Sequence, residues 1–284
     1  MPAEVNFRRV FLLLKDWFDR PTPAYQDFDA WRQHTYAEVS IGARPNLPLK
    51  TWWPQYTTGD FRLELCLGAL LVPQVSWPQV RVCLENLRDG LTRHGVAFDV
   101  SGLLRLLQEP EPFARLIKAS RFPHQKREHI RTLCTVLQAT GGVERFFRQA
   151  PEADLGAQLQ RLKSGFGPET RDCVLLYAAN VPVFIADTYA RTLLTQLQLT
   201  ERGNTYAACQ RLWQQGMRRD FTAPHLDALV QDYTREELQY ALCNTPPPAA
   251  VPWVLLYQQW HAGIVELGLS GRWDDFIAQL HHSS

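Results

Sequence analysis

Apolar residues recur at intervals of three and four along most of the chain, and this constrains the fold more than any other feature. Phe7, Val10, Phe11, Leu14 and Phe18 form one such face, the period of an amphipathic helix. Comparable faces run through about 58–72, 76–94, 111–118, 123–139, 153–162, 168–180, 186–198, 203–215, 225–242 and 251–269. No segment alternates apolar and polar residues as a half-buried strand does. The interruptions are Pro73, Pro78, Pro123, Gly141-Gly142, Gly165/Gly167, Pro182, Gly203 and Pro246-Pro247-Pro248, each a strong local breaker. No repeat of the length that marks a solenoid stands out. The expected fold is all-α, with many medium-length helices.

Composition narrows the class. The 284 residues, 45% apolar and 21% charged, are long enough to bury a core without disulfide or metal staples and too apolar for wholesale disorder. The longest nearly continuous apolar run, Cys173 to Ala186, contains Asn180 and Pro182 and is shorter than the ~20 residues of a spanning helix. At the start, Lys15 and Asp16 directly follow the apolar stretch, so it reads as an amphipathic helix and not a signal peptide. The expectation is a soluble intracellular protein. A net charge of +1 restricts any nucleic-acid site to a local patch. Cys66, Cys83, Cys134, Cys173, Cys209 and Cys243 are scattered, without the clustered spacing of zinc or iron–sulfur ligands, and read as reduced structural residues. Nine Trp, 9 Tyr and 14 Phe supply rings for a core or for stacking on a flat ligand.

Four places carry chemistry. In Leu162-Lys163-Ser164-Gly165-Phe166-Gly167-Pro168-Glu169-Thr170, one helix ends near Gly165 and another begins at Pro168, whose fixed φ suits the first helical position. The new helix presents unpaired amides and its positive dipole end, so the turn is either a phosphate-sized anion site or an ordinary interhelical connection. Asp187 follows an almost wholly apolar run where a helix should start. It suits an N-cap, and a cap also fixes the geometry a catalytic carboxylate needs. From Arg115 to Arg131 the chain carries Arg115, Lys118, Arg121, Lys126, Arg127 and Arg131 against Glu128 alone, which is either a solvated helix face or a DNA-tracking patch. Trp52 and Trp53 precede Pro54 and are core packing or the walls of a slot.

These stretches carry a resemblance. Gly165 to Ala178, followed by Pro182 to Tyr189, resembles the helix-hairpin-helix and Gly/Pro-rich loop, with its aspartate, of the endonuclease III-like DNA glycosylases. Trp52-Trp53-Pro54, Leu67 to Trp77, Phe122-Pro123-His124-Gln125-Lys126 and Leu256 to His261 are similar in the same order. The similarity covers about 50–270 and is nearest to the 3-methyladenine glycosylases of endonuclease III type that lack an iron–sulfur cluster.

The resemblance implies two helical subdomains flanking a DNA-binding cleft: an extension over 1–50, a subdomain of 51–71 with 183–284, and a subdomain of 72–182 carrying the helix-hairpin-helix at about 155–180. It implies that Gly165, Phe166, Gly167, Thr170 and Arg171 hold a DNA phosphate, with room for a monovalent cation on hairpin carbonyls, and that Gln74 and Lys126 also meet DNA. Asp187 would be the catalytic carboxylate, with Trp52, Trp53 and Glu169 around the base. Bifunctional relatives carry a Schiff-base lysine where this chain has Glu169, so hydrolysis without strand cleavage is expected. No metal or other cofactor is expected, and the partner is double-stranded DNA with damaged bases, bound by a monomer. Departures concern substrate range: Pro73-Gln74 replaces the usual Gln-Asn, and Gly263 replaces a lysine of the nearest branch. A mismatch, uracil or oxidised-base glycosylase, and a catalytically silent DNA-binding homologue, are the alternatives.

Overall fold

The computed structural model describes residues 5–19, 49–51, 61–149, 152–162, 165–242 and 246–282. Among them are fifteen α-helices and no strand. No described helix is long and apolar enough to cross a membrane. The chain forms two compact units, one of residues 56–179, the other of residues 1–55 with 180–284.

The middle unit runs α2 (Phe61–Leu71), α3 (Trp77–Arg93), α4 (Val100–Leu106), α5 (Pro110–Leu116), α6 (Pro123–Ala139), α7 (Val143–Gln149), α8 (Glu152–Arg161) and α9 (Pro168–Cys173). The sequence reading places 51–71 with the terminal helices, but α2 belongs to this middle unit. The reason lies in packing. Leu63, Leu67 and Leu70 are buried on the side of α2 that meets α3, α6 and the turn after α9. Glu64, fully buried on α2, accepts a 2.9 Å hydrogen bond from Arg88 of α3, the pairing that a buried carboxylate requires. The helix read over 168–180 is shorter and less regular. After Cys173 it widens into a π-turn over Val174–Ala178, whose five residues are all buried.

The other unit contains α1 (Phe7–Phe18), α10 (Thr188–Gln196), α11 (Tyr206–Asp220), α12 (Ala223–Gln231), α13 (Arg235–Ala241), α14 (Val251–Ser270) and α15 (Trp273–His282). Its centre is α14, buried continuously from Val254 to Ile264. The four residues Phe7, Val10, Phe11 and Leu14 face inward from α1, as their spacing predicts. Phe7 meets Trp213 edge-on at 5.0 Å, Phe11 stacks on Trp260 at 5.5 Å, and the two indoles lie 4.9 Å apart. A β-carbon at Gly216 would collide with the Phe7 ring, so this glycine lets α1 approach. The segment 225–242 is two helices, because Thr234 and Glu237 form a capping box that starts α13.

Candidate active site

In the middle unit the hairpin joins α8 to α9. Gly165 has φ +81°, a left-handed conformation glycine adopts without strain, and a β-carbon there would also collide with the His129 ring of α6. Phe166 is buried and anchors the turn. Gly167 is the N-cap of α9, is exposed and, among the described residues, has no atom within 4 Å of where a β-carbon would stand. Its backbone side is therefore bare, while Pro168 removes one N–H at the first helical position. Thr170 is buried and Glu169 exposed in the first turn. The Arg171 Nε donates to Asp172 at 2.6 Å, and that carboxylate is wholly buried, so part of the guanidinium serves the interior.

Two protruding residues belong to the same unit. Gln74, at φ +66°, is exposed on the turn between α2 and α3. Arg121 and Phe122 both have positive φ, 37° and 58°, just before Pro123. The Phe122 ring is half exposed, at 50%, and the Arg121 guanidinium lies 5.4 Å from its centre.

In the other unit, Pro182 to Asp187 has no regular secondary structure, and Phe184, Ile185 and Ala186 are fully buried. Buried backbone groups need partners, and α11 supplies them. Gln210 donates to Phe184 O at 2.6 Å, and the Tyr206 hydroxyl accepts from Ala186 N–H at 3.3 Å. This brace ends at Asp187, 9% exposed, whose Oδ1 accepts from Ala190 N–H at 2.7 Å as the N-cap of α10. The helix it caps is fixed in turn, since Gly268 of α14 leaves room for the ring of Tyr189. The second oxygen, Oδ2, lies 3.8 Å from Nε2 of His261 on α14. Burial pushes the His261 imidazole down to about 4, so it is uncharged at neutral pH. The carboxylate thus sits in a low-dielectric rim, oriented by a helix N-terminus and flanked by a neutral ring.

No family model matches the chain. In sequence it is similar to a protein of Methanocaldococcus jannaschii named "Putative DNA repair glycosylase MJ1434", 23% identical over 203 residues, which are 70% of this chain and 86% of that protein. In structure it is similar to the H. pylori 3-methyladenine DNA glycosylase MagIII, solved bound to 1,N6-ethenoadenine. The TM-score is 0.58 at 22% identity, over 78% of this chain and 89% of that one. The fold is that of the helix-hairpin-helix DNA glycosylases.

Within this glycosylase fold the residues singled out from the sequence have different fates. Trp52 and Trp53 lie outside the described residues, as does Lys163. Asp187 occupies the N-cap expected of it. Lys126 needs correction: it is 5% exposed, and its Nζ donates to Leu71 O at 2.6 Å and Pro73 O at 2.9 Å. Burial lowers its pKa to about 8. Its ammonium is thus directed at backbone carbonyls and not at the solvent side, where a phosphate would meet it. The rest of the basic run divides. Arg115, Lys118 and Arg121 are exposed, while Arg127 and Arg131 both pair with Glu128. Two residues that the sequence offers only within similar stretches, Phe122 and His261, gain a place from the structure. Phe122 has one usable signal, a large apolar residue directly before a helix-starting proline among charged neighbours. His261 has none, since only tertiary packing brings it to Asp187.

Proposed function

We propose that this chain is a monofunctional DNA glycosylase that extrudes and hydrolytically releases alkylated purines of the 3-methyladenine type from double-stranded DNA. The observation that carries this reading is the Asp187 carboxylate, held by the α10 amide and beside a neutral imidazole, in a chain with the glycosylase fold. An N3- or N7-alkylated purine is cationic and leaves without strong protonation. What remains is to stabilise an oxocarbenium-like sugar while water attacks. Asp187 supplies the negative charge, worth most where water is scarce, and takes the proton as the water oxygen bonds to C1′. The base departs with the electrons of the broken glycosidic bond. Because His261 is uncharged, it does not neutralise that carboxylate.

The remaining roles follow the same reading. The Gly165–Gly167 hairpin and the start of α9 hold a phosphate through backbone amides, with room for a monovalent cation on hairpin carbonyls. Thr170 and Arg171 support that turn, and exposed Arg115, Lys118 and Arg121 track the backbone. Gln74 and Phe122 enter the gap left by the extruded nucleotide. Trp52 and Trp53 stack on the cationic base, a contact that gains cation–π energy when desolvated. With Glu169 in place of an amine, no imine forms, so the sugar–phosphate strand stays intact. The protein acts as a monomer without a cofactor, inside the cell where DNA is.

Base release from methylated duplex DNA tests the proposal, with the strands compared before and after hot alkali. Released methylated purines, with nicks only after alkali, support it. Intact methylated DNA together with release of uracil, mismatched or oxidised bases would overturn the substrate, and nicking without alkali would overturn the monofunctional mechanism.

A further inference from the structure

Lys126 is the one member of the basic run whose ammonium lies in the interior among the described residues. A buried ammonium must have its donors satisfied, and its two acceptors share a location. Leu71 is the last residue of α2, where the final carbonyls of a helix have no partner within it. Pro73 immediately precedes Gln74. The turn that begins there closes on itself, with Val75 N–H donating to Val72 O at 3.0 Å, and Gln74 within it holds a left-handed φ that side-chain sterics disfavour. Such a conformation persists only when its surroundings over-determine it. The charge-assisted bonds from Lys126 to the Leu71 and Pro73 carbonyls, both just before Gln74, provide that constraint.

The same residue is tied to the other protrusion. Lys126 lies in the first turn of α6, and its backbone N–H donates to Phe122 O at 3.0 Å. One residue therefore joins the left-handed Phe122 end of α6 through its backbone and the left-handed Gln74 turn through its side chain. We propose that Lys126 is a positioning residue that locks the Gln74 turn to the Phe122 end of α6, presenting both side chains as a single rigid probe of the duplex. This inference rests on the glycosylase reading. It also accounts for a lysine at this place whose ammonium donates to backbone carbonyls. Exposed turns move on nanosecond to microsecond timescales. A probe that fills the gap behind an extruded base must stay in position throughout base removal.

A double-mutant cycle tests the lock, read as single-turnover base release from alkylated duplex and as the fluorescence of 2-aminopurine placed beside the lesion. Lys126→Met keeps the apolar stem and removes the donors. It is expected to slow release at least about tenfold, as small misplacements at a reaction site do, while circular dichroism shows the fold intact. Gln74→Ala should slow release similarly, and the double variant should be no slower than the slower single one, since a lock and the residue it holds act as one unit. Lys126→Arg, which retains charge and donors, should recover part of the loss. If Lys126→Met does not fold, Lys126→Gln, polar enough for the buried site but uncharged and one bond shorter, takes its place in a cycle with the same expectation. Wild-type release rates in folded Lys126→Met, or losses that multiply in the double variant, would overturn the lock alone. If wild-type protein releases no base from any duplex, the lock falls together with the glycosylase reading.

Discussion

Two helix N-termini, one in each unit, show opposite uses of the same structural element. At the start of α10 the polar N-cap Asp187 is turned inward, nearly buried, and hydrogen-bonded to the Ala190 amide. At the start of α6 the N-cap is Phe122, apolar, left-handed and half exposed, with no side-chain cap. An isolated helix would be more stable with the polarities exchanged: a solvated Asp caps well, and a phenylalanine belongs in the core. The first end holds charge where the dielectric is low; the second holds an apolar ring where water is. The left-handed, half-exposed Phe122 sacrifices stability, whereas the Asp187 cap contributes it. Under the function proposed above, the first end stabilises a cationic sugar and the second replaces a base in the stack.

The largest expected effect separates charge from cap at Asp187. Asp187→Asn keeps an oxygen for the Ala190 amide, so stability should change by less than about 1 kcal/mol, while base release should fall by about 10²- to 10⁴-fold. Asp187→Ala should lose as much activity and also about 1 kcal/mol of stability. Release by Asp187→Asn at the wild-type rate would remove the catalytic assignment.

A smaller effect concerns the environment of that carboxylate. The folded His261 ring takes up its proton only near pH 4, whereas an unfolded histidine does so near 6.5. Between those values the unfolded chain binds the extra proton, so stability is intact above pH 6.5 and falls as pH drops towards 4. The full contribution is on the order of 3 kcal/mol. Denaturant titrations from pH 7 to pH 4 should show this loss in the wild type and a shallower slope in His261→Gln. Equal slopes would mean that His261 is not buried uncharged.

The smallest effect lies at the other helix start. Phe122→Gly should stabilise the protein by about 1 kcal/mol, because glycine accepts the left-handed backbone, yet it should slow base release from duplex DNA. Stability and activity then move in opposite directions. A destabilised Phe122→Gly protein would show that the ring contributes to packing and that the two helix starts are not the contrast described.

Much of the helical framework was legible in the sequence because amphipathic periodicity is a local property. Of the five-residue face read on α1, Phe7, Val10, Phe11 and Leu14 are buried while Phe18 at the helix end is partly exposed, and the last long helix, expected over 251–269, runs Val251–Ser270. The seven-residue helices α4 and α7 escaped because two turns hold too few apolar positions to show a period. The break inside 225–242 was written in Thr234 and Glu237, an N-terminal signature masked by apolar residues on both sides. Gly263, read from the sequence only as a departure from the resemblance, acquired its meaning from the structure. A β-carbon there would stand 3.2 Å from Leu14 Cβ and 3.4 Å from Leu49 Cδ1, so residues distant in sequence pack tightly against this glycine.

The chain by itself determined the all-α class, the hairpin glycines and the cap at Asp187, since each depends on φ, hydrogen bonding or periodicity within a few residues. Only the tertiary structure decided which charges are buried. Lys126 reads like its neighbours until carbonyls of Leu71 and Pro73, more than fifty residues earlier, meet its ammonium. His261 reads like any polar residue in an apolar helix until α10 brings Asp187 to 3.8 Å. Electrostatic environment depends on distance and dielectric in space, and neither is encoded in sequence separation.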